Sequence, residues 1–457
     1  MFKKVLSLCL AALMLVGCLA AFSSCSVKDD GVFKIGLIMV GDETEGYTKA
    51  HMDGIKAAAK NVGLTDDQLI WAYKVDENND CYQKAMEMVG KDCELIVSNS
   101  YGHQDFMAQA AGKKKSVNTE FVAMTGDYAA ISGLTNFHNA FTRVYESRFV
   151  SGYVAGLKLA QMLANNEIKD VNYTTDGKIR IGYVGAFAYA EVVSGYTAFY
   201  LGVKAGLDTA TLGVNPGIAM EVVYTDSWFS IEKEAEAARK LMSDNCVIIG
   251  QHADSTGAPA AVEDAHKKGT YTNVYSVGYN VSMLEAAPTV ALTSASNNWE
   301  VYYTYLFQAA KDKYEGKEGA KDIVNDWAEG YTQNAVAITA LGTACAPGTQ
   351  EMVDQVIAAL KAGAPVFDTS LFTVKGEKVT KYDVDLSYRD WSNGGAVVYQ
   401  GDTVNAIKTK TITYQGLTGS VTEEVTFFDE STFRSAPYFD LRIDGITELE
   451  EHIGAAE

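Results

Sequence analysis

From Phe33 onward, short runs that are apolar on both faces alternate with longer stretches apolar on one face. "FKIGLIMV" (33–40) reads as a buried strand, and "TKAHMDGIKAAAKNVG" (48–63) reads as a helix ending at Gly63. "LIWAYKV", "CELIVSNS" and "EFVAMTG" continue the strands, with helices predicted over "CYQKAMEMVGK" and "HQDFMAQAAGKK" between them. A long helix, "YESRFVSGYVAGLKLAQMLAN", then separates this set from a second one. There "KIRIGYVGAF", "AMEVVYTDS", "CVIIGQ" and "VYSVGYN" predict strands. "AEVVSGYTAFYLGVKAG", "SIEKEAEAARKLMSD" and "APAAVEDAHKKG" predict the intervening helices. Strand–helix alternation with doubly apolar strands implies an α/β fold, a parallel sheet covered by helices. Two such sets of similar size imply two lobes rather than one large sheet.

The tail changes character. From about residue 366 to 457, "LFTVKGEKVTKYDVDL", "AVVYQGDTVNAIKTKTITYQG" and "SVTEEVTFF" place Thr, Val and Tyr at strand-like alternation between Gly and Asp turns. This predicts a β-rich C-terminal extension of antiparallel strands.

The beginning of the chain is an export signal. Lys3 and Lys4 precede an apolar stretch, "VLSLCLAALMLVGCLAAF", that ends in small residues and cysteine. We read residues 1–24 as a lipoprotein signal peptide. Cys25, followed by the polar tether "SVKDDG", is the lipidation site, with Cys18 in "LVGC" as the alternative. No later stretch approaches about 18 uninterrupted apolar residues, the span a membrane helix needs. Cys81, Cys93, Cys246 and Cys345 are the cysteines beyond the leader, and they show no CxxC spacing. A Cys81–Cys93 disulfide stays open, since spacing alone does not decide pairing. The formal charge of −20 argues against a nucleic-acid partner, because phosphate contacts need clustered Lys and Arg.

Ligands of open α/β sheets bind beyond the carboxyl ends of the strands, which makes strand ends site candidates. Tyr47, Tyr101, Phe187, Tyr189, Trp228 and Phe229 all fall there, interleaved with amides and carboxylates. Such a surface suits a flat, hydrogen-bonding ligand such as a nucleobase. Catalysis finds less support. Ser255 is not in a GxSxG elbow, and neither GxGxxG after the first strand nor GxxxxGK[ST] occurs. His103 and His252 each stand two residues before an aspartate, Asp105 and Asp254, but no HExxH or CxxC accompanies them. Ser255 reads as a helix cap, and Pro259 suits the first turn of the helix after it.

Several ordered blocks resemble the basic membrane protein family, the purine-nucleoside-receptor-like lipoproteins of bacterial ABC importers. "KIGLIMVGDETEGYTKAHMDGIKAA" is similar to its first strand and helix, with Gly46, Tyr47, Thr48, Ala50 and His51 on its motif. "TRVYESRFVSGYVAG", "VVYTDSWFSIEKEAEAARKLM" and "IIGQHADSTGAPAAVEDAHKKGTY" match later blocks in order, over about residues 33–330. The resemblance implies a two-lobed, type I periplasmic-binding-protein-like fold with three crossovers. Lobe 1 would comprise 33–142 plus about 285–330, and lobe 2 would comprise 143–284 plus part of 331–365. It implies that Tyr47, with Phe187 or Trp228, stacks the ligand's ring, and that Asp254 and Asn280 present polar groups to it. Thr48 stands where the nucleoside-binding branch carries an Asn, and Asn280 stands where relatives often have Asp. Tyr101 and His51 complete the expected ligand site. The implied function is delivery of a purine base or nucleoside to an ABC permease and its ATPase, with no cofactor or metal and no enzymatic activity. Three alternatives remain at this stage. The same fold could take a sugar or signalling solute; His103, His252 and Asp254 could serve a metal-dependent hydrolase; or the chain could sense a ligand without a permease.

Overall fold

The computed structural model describes residues 31–210, 215–390, 395–416 and 419–454, so the leader with Cys18 and Cys25 lies outside the described residues. Among the described residues the first sheet has six parallel strands: β1 (Ile35–Ile38), β2 (Leu69–Ala72), β3 (Leu95–Ser98), β4 (Glu120–Met124), β5 (Phe137–Thr142) and β11 (Asp326–Glu329). Their spatial order is β11-β5-β4-β3-β1-β2. β1 and β3 are buried along their whole length, which is why they read as nearly continuous apolar runs; β5 is equally buried although its sequence, FHNAFT, carries polar residues. The helix Gly46–Val62 ends where Gly63 takes φ 74°, a left-handed turn that glycine makes without a Cβ clash.

The second sheet contains β6 (Ile179–Gly185), β7 (Ile218–Tyr224), β8 (Ile248–Gln251), β9 (Tyr275–Tyr279), β10 (Ala291–Asn297), β12 (Val336–Ile338) and β19 (Ile446–Glu448). The order is β12-β10-β9-β8-β6-β7-β19, parallel except for the β12 edge. Long helices Val144–Ala164 and Ala190–Ala210 lie against each other through facing glycines. A Cβ on Gly152 or Gly156 would come within 2.2 Å of the Phe199 or Val203 carbonyl oxygen of the other helix. Only hydrogen as a side chain permits so close an approach of the two backbones.

The chain passes between the lobes three times: after β5, after β10 and after β11. One boundary differs from the sequence reading. The segment 285–330, expected in lobe 1, begins with β10, which pairs in parallel with β9 in the second sheet. The crossing comes only at Asn298–Trp299, after which helix Trp299–Tyr314 packs on helix Gly46–Val62 of lobe 1.

The tail forms antiparallel pairs: β13 (Asp383–Asp385) with β16 (Thr403–Asn405), β14 (Tyr388–Asp390) with β15 (Ala396–Tyr399), and β17 (Ile407–Gly416) with β18 (Gly419–Phe428). It is not insulated from the α/β body. Phe367, Phe428, Phe439 and Leu441 share one apolar core with Tyr183, Phe199 and Val222 of lobe 2. β19 then extends the second sheet beside β7. Cys81 and Cys93 are free, buried thiols.

Candidate ligand-binding cleft

The carboxyl ends of both parallel sheets face one cleft of about 720 Å³, counting its mouth. From lobe 1 the lining takes Val40, Glu45 and Tyr47 after β1, Glu77 after β2, Ser100 and Tyr101 after β3, Thr125 after β4 and Phe141 on β5. Lobe 2 contributes Glu191 after β6, Trp228 after β7, His252 and Asp254 after β8, and Tyr279 at the end of β9.

The aromatic walls are held from behind. The Tyr47 hydroxyl donates to the Asn99 carbonyl at 2.6 Å, fixing the ring. His51 meets that ring edge-on at 4.5 Å and stacks on Trp299 at 4.3 Å, while its Nδ1 lies 2.7 Å from the Tyr303 hydroxyl. Burial drives the His51 pKa down to about 3, so the ring is neutral. His51 is therefore packing beneath Tyr47 and not part of the lining, contrary to the sequence expectation. On the facing side Trp228 lines the cleft, and Phe187 meets it edge-on at 5.1 Å while stacking on Tyr189 at 5.2 Å. Phe187 is not among the lining residues and supports Trp228 from the side.

The polar groups are similarly layered. Thr48 is fully buried and donates its hydroxyl to Glu45, so Thr48 orients a carboxylate of the lining without joining it. Glu77 accepts from the Ser100 hydroxyl and from the Gly102 N–H at 3.2 Å. Glu191 lies 2.7 Å from His252 Nε2. Burial, with Arg148 nearby, drives the His252 pKa down to about 4, which makes this contact a hydrogen bond from a neutral imidazole at neutral pH. Arg148 is buried with its guanidinium 3.8 Å above the Tyr279 ring, and it donates to the Tyr183 hydroxyl at 2.7 Å and the Gln251 carbonyl at 3.1 Å. Asp254 Oδ1 accepts from Asn280 Nδ2 at 2.5 Å, and Asn280 Oδ1 accepts from Asn297 Nδ2 at 3.2 Å. Burial first, then the charge of Glu45, pushes the Asp254 carboxyl well above the usual carboxylate range. Asn280, expected to face the ligand, instead positions Asp254 from φ 61°, a left-handed backbone that asparagine tolerates.

Of the eight expected residues, Tyr47, Tyr101, Trp228 and Asp254 line the cleft, whereas Thr48, His51, Phe187 and Asn280 support it. Ser255 is not the helix cap its position suggests: the N-cap is Thr256, without a side-chain cap, and Ser255 Oγ one residue earlier accepts the Gly257 N–H at 3.0 Å as a turn contact. Sequence reasoning left Glu45, Glu77, Glu191, Phe141 and Tyr279 out of the expected ligand site, although Glu45 was among the strand-end candidates. Glu45 and Glu191 were findable, since both follow strand ends. Phe141 and Tyr279 are buried strand residues that carry no polar signal. Chemically the cleft offers five aromatic rings and four carboxyl groups, and no Lys or Arg is among its lining residues. It can stack a ring and exchange hydrogen bonds with N–H and O–H groups, but it presents no cation to a phosphate. His103, one arm of the hydrolase alternative, is buried 2.9 Å from the Val75 carbonyl and is not in the lining.

Two parallel-sheet lobes closing on a cleft at their strand ends define a type I solute-binding protein. The model of the ABC transporter substrate-binding protein PnrA-like family matches residues 33–331, and the chain belongs to that family. A purine-binding protein of Brucella abortus (strain 2308) is 28% identical over 280 residues, covering 61% of this chain and 69% of the relative. The putative ABC transporter glucose-binding protein TsgA13 of Haloferax volcanii is 26% identical over 249 residues, covering 53% of this chain and 54% of the relative. The solved ABC transporter solute-binding protein of Conexibacter woesei shares the fold at a TM-score of 0.51 and 17% identity, covering 73% of this chain and 97% of that one. Membership makes the protein the substrate-binding component of an ABC transporter, with a small-molecule ligand and with permease and ATPase subunits as partners.

Proposed function

We propose that this protein captures a purine base or nucleoside outside the cytoplasm and delivers it to an ABC permease, tethered to the membrane by lipid on Cys25. The observation that carries the reading is the pairing of Tyr47 from lobe 1 with Trp228 from lobe 2 in a cleft rich in carboxyl groups and free of lining cations. A purine presents two aromatic faces and a rim of N–H donors and ring-nitrogen acceptors, which rings and carboxyl groups suit. The lack of lining cations favours an uncharged ligand over a nucleotide. Burial raises the Asp254 pKa, which favours the protonated form that can donate to a ring nitrogen as well as accept. The purine-binding relative from Brucella supports the same ligand class.

A sugar is the second reading. It is favoured by the four carboxyl groups, which pair well with vicinal hydroxyls, and by the name of the Haloferax relative. Tryptophan fluorescence separates the two. Adenine or guanosine stacked on Trp228 should quench emission saturably, and Trp228→Phe should abolish that quenching. Emission unchanged by every purine tested would refute the proposal.

A further inference from the structure

The family match ends at residue 331, and nothing in it accounts for the tail. The tail is rooted in lobe 2. β19 completes that lobe's sheet, and Glu448 accepts from the Tyr196 hydroxyl at 2.6 Å and the Tyr224 hydroxyl at 2.7 Å. It also reaches lobe 1. The Tyr388 hydroxyl lies 2.9 and 3.0 Å from the two carboxylate oxygens of Asp105, at the start of helix Gln104–Ala111. The rings of Tyr388 and Tyr399 pack at 4.3 and 5.0 Å on Tyr128, whose own hydroxyl donates to Asp105 at 2.8 Å. Further along, Arg434 lies 3.8 Å from Asp127 with both side chains mostly buried, and the Ser435 N–H donates to Asp326 of β11 at 3.1 Å. Ala436 joins an apolar cluster with Phe141 and Tyr279, two walls of the cleft from opposite lobes.

These contacts coexist with lobes that touch. The Gly46 backbone of lobe 1 comes so near lobe 2 that an added Cβ would sit 3.0 Å from the Asp254 carbonyl oxygen. Asp127 also accepts from Gln104 Nε2 at 3.1 Å and faces the hydroxyl of Tyr101, a cleft wall, at 3.4 Å. The tail therefore touches the groups that set the position of Tyr101.

We propose that the C-terminal extension is an interlobe latch: anchored in lobe 2, it docks on lobe 1 through Tyr388–Asp105 and Arg434–Asp127 and holds the cleft closed with Tyr101 in place. The latch makes opening cost the Tyr388 and Arg434 contacts in addition to those of the ligand, so it slows ligand release. This inference rests on two closing lobes and on no particular ligand. Tyr388 and Arg434 are positioning residues in this scheme, acting through Asp105 and Asp127.

The test compares the leader-less chain, residues 26–457, with Tyr388→Phe and with the double variant Tyr388→Phe, Arg434→Gln. Small-angle scattering without ligand should show a compact wild type and a larger radius of gyration in the double variant. Stopped-flow release of adenine should be faster in the double variant by about tenfold, the equivalent of about 1.4 kcal/mol. Tyr388→Phe alone removes one hydroxyl, keeps the ring packing, and should lie between the two. A merely structural role would lower the melting temperature while leaving the ligand-free radius unchanged, and that result overturns the latch. A wild type as open as the double variant overturns it too. Failure of adenine to bind either protein would count against the purine reading alone, because the scattering comparison needs no ligand.

Discussion

Asn280 Nδ2 donates to Asp254 Oδ1 at 2.5 Å, joining the loops that follow β9 and β8 so that the Asp254 carboxyl is held at the cleft wall. The residue lining the cleft and the residue aiming it are thus distinct. Asn280→Gly deletes the amide while keeping the positive φ at low strain. It should weaken ligand binding by about 1–2 kcal/mol, near the net worth of a hydrogen bond to an ionisable partner, with a smaller loss of stability. Calorimetric Kd values beside urea unfolding curves check this. Equal Kd values would show that Asp254 needs no aiming.

Tyr47→Ala should cost about 1–3 kcal/mol of binding if the ring stacks a base, since base–aromatic stacking is of that size. The Tyr47 hydroxyl is used on Asn99, so Tyr47→Phe should cost far less. Titrating both variants with the same purine distinguishes a stacking face from a polar contact.

Glu234 supports the loop carrying Asp254 by accepting the Ser255 N–H at 3.2 Å. Burial raises its pKa from the usual 4.5 to about 7. The folded protein therefore holds a proton that the unfolded chain releases between about pH 4.5 and 7. Stability from this group is greatest at the acidic end and falls as pH rises through that window, by about 3 kcal/mol in full. Glu234→Gln should remove the effect, so the variant gains on the wild type between pH 5 and pH 8. A stability difference that stays constant with pH would contradict the assignment.

The Gly152 and Gly156 contacts predict the effect of the smallest side chain. Gly156→Ala places a methyl 2.2 Å from the Val203 carbonyl oxygen, and backbone on both sides leaves helix separation as the only relief. Chemical denaturation should show a loss of about 1–3 kcal/mol.

The α/β alternation and the strand-end rule made much of this legible from sequence. Doubly apolar runs marked β1, β3 and β4, and polar or aromatic endings marked Tyr47, Tyr101, Trp228 and Asp254; β5, "FHNAFT", escaped because His138, Asn139 and Thr142 break its apolar run. Depth was not legible. Thr48 and His51 sit one residue and four residues beyond Tyr47, and only the Thr48 bond to Glu45 and the packing of His51 on Trp299 and Tyr303 reveal that they face away from the opening. Lobe membership of β10 escaped because an apolar strand does not state which neighbour it pairs with. β19 escaped for a related reason: three residues, "ITE", carry no signal, and their place beside β7 is set by a pairing more than two hundred residues away.

The central claim, purine capture in the cleft, is tested most directly by isothermal titration calorimetry of residues 26–457 against adenine, adenosine and glucose. Saturable one-to-one binding of a purine that excess glucose does not displace is the expected result. The same purine at a hundredfold above its Kd should add about 2.7 kcal/mol to the unfolding free energy. No binding heat with any purine, or glucose bound in its place, would contradict the account.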